Sequence, residues 1–535
     1  MATEEQNKLE LFLQWLQVNG VELRGCDIKY CDSTKGFGLF STTTPSNGIF
    51  LVAPLDLAIT PMRVLEDPLL GPPCRAMLEE GEVDDRFLII LFLTMERLRS
   101  KSSWKPYLDM IPNSFGSPLW FTHDEFQELK GTTLYRASTL QKKSLQAVFE
   151  DKVKDLVERL LIMDGDSERE VTFEDFLWYA TMANSVFWTR ALNIPLPRTY
   201  IFPEGSQVPG ANNVTNGVNL SSKEGETLWV EGLVPGIDFC NHALRAAATW
   251  EVDSTGSASG VPLSMYLLSV NEGPFEVEKE ITISYGNKGN EELLYLYGFV
   301  IEDNSDDYLM VHYPAEALQN VPFSDSKKQL LQAQKAELRC LLPKSLLDHG
   351  FFSSSSERKN IKEYAMDKAT NFSWSGQRKI PSYVKKLVFP ELLTSLRTIA
   401  MQENEIFKVQ SLLEELVGNE GEREPSDAEV RSAVWEACGD SGALQLLVDL
   451  LNTKLMDLEE GSGTEEYDTK LLEKNCVRDS PALSISVDKT ESTPDDEVMS
   501  KNRWASIIYR RGQKQLTRLF LREAEHALQL CLKER

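Results

Sequence analysis

The stretch that decides the fold begins with Asp238-Phe239-Cys240-Asn241-His242 and ends with Ile283-Ser284-Tyr285, so that Tyr285 follows His242 by 43 positions. Far upstream, Gly36-Phe37-Gly38-Leu39-Phe40 combines two glycines with apolar residues, a pattern typical of a short strand beside a turn. Downstream, Tyr297-Gly298-Phe299 places two aromatic residues two positions apart, on one face if the chain is extended there. Each piece alone is common, whereas their order along the chain is specific.

Short apolar runs broken by Gly, Pro and Asn surround these pieces and predict strands. They lie between residues 21 and 60 and over 227–230, 248–252, 264–270 and 280–285. The intervening chain has helical patterns at 87–93, 139–162 and 172–192, and a loop composition rich in Gly, Asn and Ser at 203–226. The sequence therefore predicts a strand-rich domain over 21–300 with a helical insertion at about 61–225.

Helical periodicity also dominates the two flanks. Leu9, Phe12, Leu13 and Leu16 recur at helical spacing and Gly20 follows them, which predicts an amphipathic helix within 1–20. Beyond residue 307, helical patterns cover 327–342, 383–416, 428–458 and 503–532. We therefore expect an all-α domain over 308–535 and an α+β class for the whole chain.

The chain is acidic. Its 535 residues include 56 Lys+Arg and 82 Asp+Glu, for a formal charge of −26. This charge argues against nucleic-acid binding through phosphate neutralisation. Residues 457–497 hold 13 acidic and 4 basic residues, so we expect a disordered loop over about 457–500. The basic helix at 503–532 is interpreted as a solvated helix that packs one face on its neighbours, in preference to a dedicated binding surface.

The sequence also predicts where the protein works. The first ten residues lack the pattern of a signal or transit peptide, and no apolar run is long enough to span a membrane. The eight cysteines are scattered without a Cys-x-x-Cys pair, which indicates reduced thiols and no structural zinc site. We therefore expect a cytosolic or nuclear protein without a bound metal. P-loop, Gly-x-Ser-x-Gly and His-Glu-x-x-His motifs are absent from the sequence.

The ordered set of motifs resembles the SET-domain protein methyltransferases, and within them the group typified by the Rubisco large-subunit lysine methyltransferase. Trp104-Lys105-Pro106-Tyr107 and the stretch from Trp178 to Arg190 resemble that group's insertion, and Trp504 to Arg511 resembles the end of its C-terminal substrate-binding domain. The resemblance implies an interrupted SET β-fold followed by an all-α domain. It also implies S-adenosylmethionine as cofactor and lysine N-methylation of a non-histone protein, for example a ribosomal or translation component, by a monomer.

The resemblance assigns roles residue by residue. Main-chain atoms of Lys35, Gly36 and Phe37 would contact the cofactor, and Lys35 stands where relatives often have Glu. The cofactor would also be bound by Asn241 and His242, while Tyr285 would lie at the methyl-transfer centre as the catalytic residue. Arg190, Asp238, Tyr297 and Phe299 are assigned to the substrate, the last two as walls of a lysine channel.

Methyl transfer explains these residue types. The acceptor lysine must be neutral, and an apolar aromatic channel lowers its pKa by desolvation. Aromatic faces then stabilise the methylated ammonium by about 0.5–2 kcal/mol. No Cys-x-Cys cluster follows Phe299, so the zinc-bearing segment of many histone methyltransferases is missing and a histone-tail substrate is disfavoured. Two alternatives stay open: a protein-histidine methyltransferase of the same layout, and a catalytically silent interaction scaffold.

Overall fold

The computed structural model describes most of the chain, and its described residues form two units. Described are residues 2–32, 35–45, 47–81, 83–148, 153–163, 165, 173–201, 227–270, 275–313, 315–334, 372–377, 390–417, 423–474 and 499–533. The first unit comprises the described parts of Met1–Phe115 and Ser144–Asn287, and the second comprises Gly116–Lys143 and the described residues from Lys288 onward. Within the described residues, no helix combines the length and the apolar character needed to cross a membrane.

Among the described residues, ten short strands form four antiparallel sheets. The strands are β1 Glu22–Leu23, β2 Cys26–Asp32, β3 Gly36–Ser41, β4 Ile49–Pro54, β5 Leu192–Pro197, β6 Thr227–Gly232, β7 Ala248–Asp253, β8 Ser264–Ser269, β9 Tyr308–Tyr313 and β10 Phe372–Gln377. The first unit holds a four-stranded sheet in the order β1-β4-β8-β7 and the pairs β2–β3 and β5–β6, while the second holds β9–β10. The α+β class predicted from the sequence is confirmed, whereas the pair β9–β10 lies within residues 308–535, where an all-α domain was expected.

Helices make up most of the other regular structure among the described residues. They span Ala2–Val18, Pro61–Glu66, Gly71–Glu79, Asp85–Leu98, Lys105–Leu108, His123–Gln127, Thr133–Val148, Lys154–Met163, Phe173–Arg190, Arg198–Ile201, Asn290–Glu292, Ala315–Gln319, Ser324–Ala333, Pro390–Ala400, Glu403–Val417, Asp427–Ala437, Asp440–Glu459, Glu465–Lys474 and Lys501–Lys533. A π-helical turn, Leu293–Tyr297, ends at Gly298, whose φ of +76° suits a residue without a side chain.

The core of the first unit lies around its central strand and a buried helix. Five of the six residues of β4 are buried, which is why this apolar run sits inside the sheet between β1 and β8. The helix Asp85–Leu98 is buried on every side from Phe87 to Glu96 and packs against Phe173–Arg190. Its start is capped by Asp84, whose side chain accepts a hydrogen bond from the N–H of Phe87 at 3.0 Å.

A network of buried charges organises the second unit. The carboxylate of Asp468 accepts hydrogen bonds from Arg510 (Nη2, 2.6 Å) and from Lys514 (Nζ, 2.6 Å). All three residues are at most 2% exposed. Arg510 also pairs with Glu128, and Lys514 donates to the carbonyl of Gly463 at 2.7 Å. The long helix Lys501–Lys533 is thereby bound to the helix Glu465–Lys474. Its cationic side chains Arg510 and Lys514 are buried in ion pairs, so the interpretation of a solvated helix is wrong at these two residues.

Several predicted elements differ in extent from those observed. Residues 280–285 form only isolated bridges at Glu280 and Ile283, because the segment pairs with a different neighbour at each end. The patterns at 383–416 and 428–458 are interrupted, at Met401 and Gln402 and at Cys438 and Gly439 respectively, whereas residues 149–152 of the pattern at 139–162 and residues 383–389 lie outside the described residues. Within the expected disordered loop at 457–500, residues Glu465–Lys474 are helical because basic side chains neutralise their charge. Residues 203–226, 335–342 and 475–498 lie outside the described residues.

The proposed domain boundaries stay a prediction. Residues 116–143 fall within the insertion expected at 61–225, and in the structure they pack in the second unit. Their contact there has a clear origin, since Arg510 reaches the side chain of Glu128.

Candidate functional site

The site is organised by the chain segment 278–285, which pairs with two distant stretches. At one end, the N–H of Ile281 donates to the carbonyl of Leu39 in β3 at 2.7 Å. At the other end, the N–H of Ile283 donates to the carbonyl oxygen of Asn241, and the N–H of Ala243 donates to the carbonyl oxygen of Ile283, both at 3.0 Å. Three motifs that are far apart in sequence are therefore adjacent in space.

The two glycines of β3 have different roles. Gly36 has a φ of +71°, which favours glycine, and a Cβ built there would meet no atom of the described residues within 4 Å. At Gly38, a Cβ would lie 2.6 Å from Sγ of Cys31 and 2.9 Å from Nδ2 of Asn241. Gly38 thus lets the Asn241 amide approach the strand, while the main chain at Gly36 stays open to a ligand.

Asn241 points its amide group at β3. Its Nδ2 donates to Oε1 of Glu280 at 2.7 Å and lies 3.5 Å from the carbonyl oxygen of Phe37. The thiol of Cys31 is also 3.7 Å from Nδ2, and burial together with the Glu280 charge raises the pKa of this thiol to about 12. Cys31 is therefore a neutral neighbour of the amide at physiological pH.

Lys35 contributes through its side chain as well as its main chain. Its Nζ donates to Oε2 of Glu280 at 2.7 Å, and this bond raises the pKa of Lys35. Its main-chain N–H donates to Oδ1 of Asp32 at 2.7 Å in the turn before β3. Since that N–H is already engaged, a main-chain contact from Lys35 to a ligand would have to use its carbonyl oxygen.

His242 and Tyr285 form the second half of the site. The N–H of Tyr285 donates to Nδ1 of His242 at 3.1 Å, and the two rings lie 5.1 Å apart between centroids. Nδ1 can accept this bond only when it carries no proton, so the neutral imidazole bears its hydrogen on Nε2. The hydroxyl of Tyr285 donates to the carbonyl oxygen of Cys240 at 2.9 Å. Because its hydrogen is used, the phenolic oxygen can present only lone pairs to a further group.

Arg190 and Asp238 contact each other. Nη1 of Arg190 donates to the main-chain oxygen of Asp238 at 2.9 Å and to its Oδ2 at 3.3 Å, and the guanidinium lies 4.6 Å from the ring centroid of Phe239. The hydroxyl of Tyr107 donates to the same Oδ2 at 2.6 Å. Burial raises the pKa of Asp238, and Arg190 opposes this shift. With its side chain fully buried, Asp238 is placed to orient Arg190, which is itself 13% exposed.

Tyr297 and Phe299 belong to the second unit. Their rings are 6.3 Å apart at 60°, and Nζ of Lys288 lies 6.0 Å from the centroid of Tyr297. Both aromatic residues are half-buried. Their assignment to an acceptor channel stays a prediction.

The structure thus brings together most of the residues predicted for the first unit. Gly36, Phe37, Asn241, His242 and Tyr285 line one region, and Lys35 joins it through Glu280. Sequence reasoning missed Glu280 and Tyr107. For Tyr107 a signal existed, because the stretch from Trp104 to Tyr107 was noted for its resemblance. For Glu280 the sequence offers no such signal, since its partners Lys35 and Asn241 are distant in sequence.

Comparisons with known proteins agree with this geometry. No protein-family model matches the chain. It is 26% identical over 330 residues to the Rubisco large-subunit N-methyltransferase of Pisum sativum, covering 61% of this chain and 58% of that protein. It is 27% identical over 259 residues to a ribosomal lysine N-methyltransferase of Schizosaccharomyces pombe, covering 48% and 39%. An actin-histidine N-methyltransferase of Otolemur garnettii is 24% identical over 339 residues, covering 63% and 48%. The chain thus spans about half the length of these relatives.

Solved structures extend the fold comparison over nearly the whole chain. The SET domain of the Rubisco methyltransferase, crystallised with lysine and S-adenosylhomocysteine, matches 99% of this chain and 93% of its own with a TM-score of 0.65 at 18% identity. The same enzyme bound to S-adenosylmethionine matches 98% and 93% with a TM-score of 0.61 at 18% identity. The chain therefore has the SET fold of the Rubisco large-subunit methyltransferase, and its homologues are SET-domain methyltransferases of that type.

Proposed function

We propose that this protein is an S-adenosylmethionine-dependent protein N-methyltransferase that acts on a lysine of a non-histone protein. The observation that carries the proposal is the convergence of Asn241 and His242 on the Gly36–Gly38 strand and on Tyr285. The relatives named above support the reaction class, and their protein substrates support a non-histone target. We further propose a monomer that works in the cytosol or nucleus.

The residues present fit the proposed cofactor. The main chain at Gly36 is open, so it can approach a ligand closely. Asn241 and His242 contact opposite ends of the 278–285 segment and offer polar groups for the amino-acid and adenine parts. When bound, the cofactor supplies an electrophilic methyl group on a sulfonium.

The residues of this chain would then align the acceptor and exclude water. The oxygen of Tyr285 is held by its bond to Cys240, so its lone pairs can accept the N–H of a neutral acceptor amine. Arg190, fixed by Asp238 and Phe239, offers its remaining N–H groups to the substrate. Tyr297 and Phe299 would receive the alkyl part of the lysine, as their resemblance to channel aromatics suggests.

A histidine acceptor is the second candidate, because the actin-histidine methyltransferases are 24% identical to this chain. A neutral imidazole needs no deprotonation near pH 7, so the same oxygen of Tyr285 could orient it. The two candidates share the cofactor site and differ only in the acceptor.

Two measurements test the proposal. Calorimetric titration with S-adenosylmethionine should show saturable binding, and no detectable binding would overturn the methyltransferase assignment in favour of a silent scaffold. Transfer of a radiolabelled methyl group to an extract of cells lacking the enzyme, followed by mass spectrometry of the labelled site, should identify a methylated lysine. A methylated histidine would replace lysine by the second candidate.

A further inference from the structure

We propose that Glu280 is a positioning residue of the cofactor site: its carboxylate fixes the orientation of the Asn241 amide and is itself held by Lys35. The inference rests on the proposed function, because it assigns Glu280 a role in binding S-adenosylmethionine. Neither the sequence motifs nor the comparisons assign this residue a role.

The hydrogen bonds around Asn241 leave its amide only one orientation. Nδ2 faces Oε1 of Glu280 at 2.7 Å and the carbonyl oxygen of Phe37 at 3.5 Å, and both of these atoms can only accept. If the amide were turned over, Oδ1 would face two acceptors. The amide oxygen of Asn241 is consequently directed away from β3, and no described residue donates to it. It is left as an acceptor for a ligand.

Glu280 can hold the amide because its own position is fixed twice. The N–H of Ile281 next to it pairs with Leu39, which anchors the backbone along β3. Its second oxygen accepts from Nζ of Lys35 at 2.7 Å, and the Glu280 side chain is 17% exposed. A charge-assisted bond to an amide N–H is stronger than a neutral one, so the ionised carboxylate is the better anchor.

Lys35 also balances the charge that Glu280 brings. A lone carboxylate in this partly buried place would carry an uncompensated negative charge, whereas the Lys35–Glu280 pair is neutral overall. The two residues are 245 positions apart in sequence. Lys35 therefore acts on the site through Glu280 and not only through its main chain.

A second pair on the same two segments offers a matched control. Nζ of Lys29 in β2 binds Glu278 at 2.8 Å, two residues before Glu280. This pair is more exposed, with the Glu278 side chain at 64%, and the carboxylate of Glu278 is engaged by Lys29 and not by the Asn241 amide. Substitution at Glu278 removes an ion pair from the same part of the fold without touching the amide.

The test is calorimetric binding of S-adenosylmethionine to the full chain and its variants. Glu280→Met removes both acceptor oxygens, and we expect its affinity to fall on the order of tenfold, as for loss of one hydrogen bond to a charged group. Glu280→Gln keeps one acceptor oxygen for Asn241 and should recover most of the lost affinity. Glu278→Met should bind like the wild type.

The outcomes separate the two proposals. If the wild type binds S-adenosylmethionine and Glu280→Met binds equally well, Glu280 has no positioning role and the proposed function stands. If Glu280→Gln is as weak as Glu280→Met, an acceptor oxygen at this position does not hold the amide, and if Glu278→Met shows the same loss, fold stability is responsible; either result overturns the positioning role. If the wild type shows no binding, the proposed function itself fails.

A double variant that exchanges the hydrogen-bond donor and acceptor between Asn241 and Glu280 tests the proposal even if Glu280→Met does not fold. Asn241→Asp alone would set two carboxylates against each other, so it should lower the thermal unfolding midpoint and the affinity. Adding Glu280→Gln gives the introduced carboxylate an N–H donor, and the double variant should exceed Asn241→Asp in both measurements. An equal or weaker double variant would overturn the proposal.

Discussion

The main-chain N–H of Tyr285 donates a hydrogen bond to Nδ1 of His242 at 3.1 Å. This bond joins the two motifs that stand 43 positions apart, and it requires an unprotonated Nδ1. His242 therefore holds the backbone of Tyr285 in place, in addition to any contact it makes with a ligand.

Replacing His242 should separate these two roles. His242→Phe keeps an aromatic ring but leaves the N–H of Tyr285 without its acceptor, at a cost of about 1–3 kcal/mol in the free energy of unfolding. His242→Asn offers a side-chain oxygen close to the position of Nδ1 and should retain more of that stability. Chemical denaturation of both variants measures the difference. Equal stability of the two would mean that the hydrogen bond contributes nothing.

Tyr285→Phe removes the hydroxyl that donates to Cys240 and would accept from the acceptor amine. We expect cofactor affinity to change little while methyl transfer falls on the order of a hundredfold, the effect of losing alignment at a reacting centre. Calorimetry measures the cofactor affinity, and a single-turnover assay measures the rate of methyl transfer. Tyr266→Phe, which removes the hydroxyl that donates to Glu251 in the four-stranded sheet, is the control and should retain activity. Full activity of Tyr285→Phe would remove the tyrosine from its assigned role.

Glu291 should make the stability of the second unit depend on pH. Burial raises the pKa of this carboxyl from 4.5 to about 8, and Tyr509 donates to its Oε2 at 2.9 Å. Between these two pH values the folded state keeps a proton that the unfolded state has lost, so stability falls as pH rises from about 4.5 to about 8. Glu291→Gln should flatten this decline, as seen in thermal midpoints at about pH 5.5 and about pH 8. Glu292→Gln, next to it but 30% exposed, should keep the wild-type slope. A slope unchanged in Glu291→Gln would rule Glu291 out as its source.

Asp468 is expected to be the most sensitive member of the charge network. Asp468→Asn leaves Lys514 buried without a carboxylate and leaves Arg510 with Glu128 alone, and breaking such a buried pair costs about 3–5 kcal/mol. Denaturant unfolding measures the loss. The control is Glu466→Gln, since Glu466 is 68% exposed and contacts Arg518 at 3.5 Å, so its loss should cost no more than about 1 kcal/mol. Similar losses in the two variants would contradict the buried network as the source.

The site residues that belong to short sequence motifs could be predicted, whereas those positioned by ion pairs between distant segments could not. Asn241, His242 and Tyr285 could be assigned because their types and order are specific, and the structure places them around one segment. Glu280 could not, because nothing local distinguishes it among 82 acidic residues as the partner of Lys35.

The same reason explains the error in the acidic stretch. Local composition indicated a solvated loop there and a solvated basic helix beyond it, each judged separately. In the structure Asp468 of the first segment binds Arg510 and Lys514 of the second, with Glu128 balancing the remaining positive charge, and this pairing lets the helix Glu465–Lys474 form. Charge pairing between segments leaves no local signal in the sequence, whereas the continuous apolar run at 87–93 does, and a helix was predicted there.

The pairing of Phe40 with Glu280 has a consequence for folding during synthesis on the ribosome. Lys35 and Glu280 are separated by 245 positions. At about 5–20 residues per second, the ribosome needs on the order of 12 to 50 seconds to deliver the second after the first. Throughout that interval β3 has only β2 as its partner and lacks the segment around Glu280, and closing so long a loop is slow. The nascent chain therefore cannot complete the proposed cofactor site until Tyr285 has been synthesised, because Asn241, His242 and Glu280 all come late in the sequence.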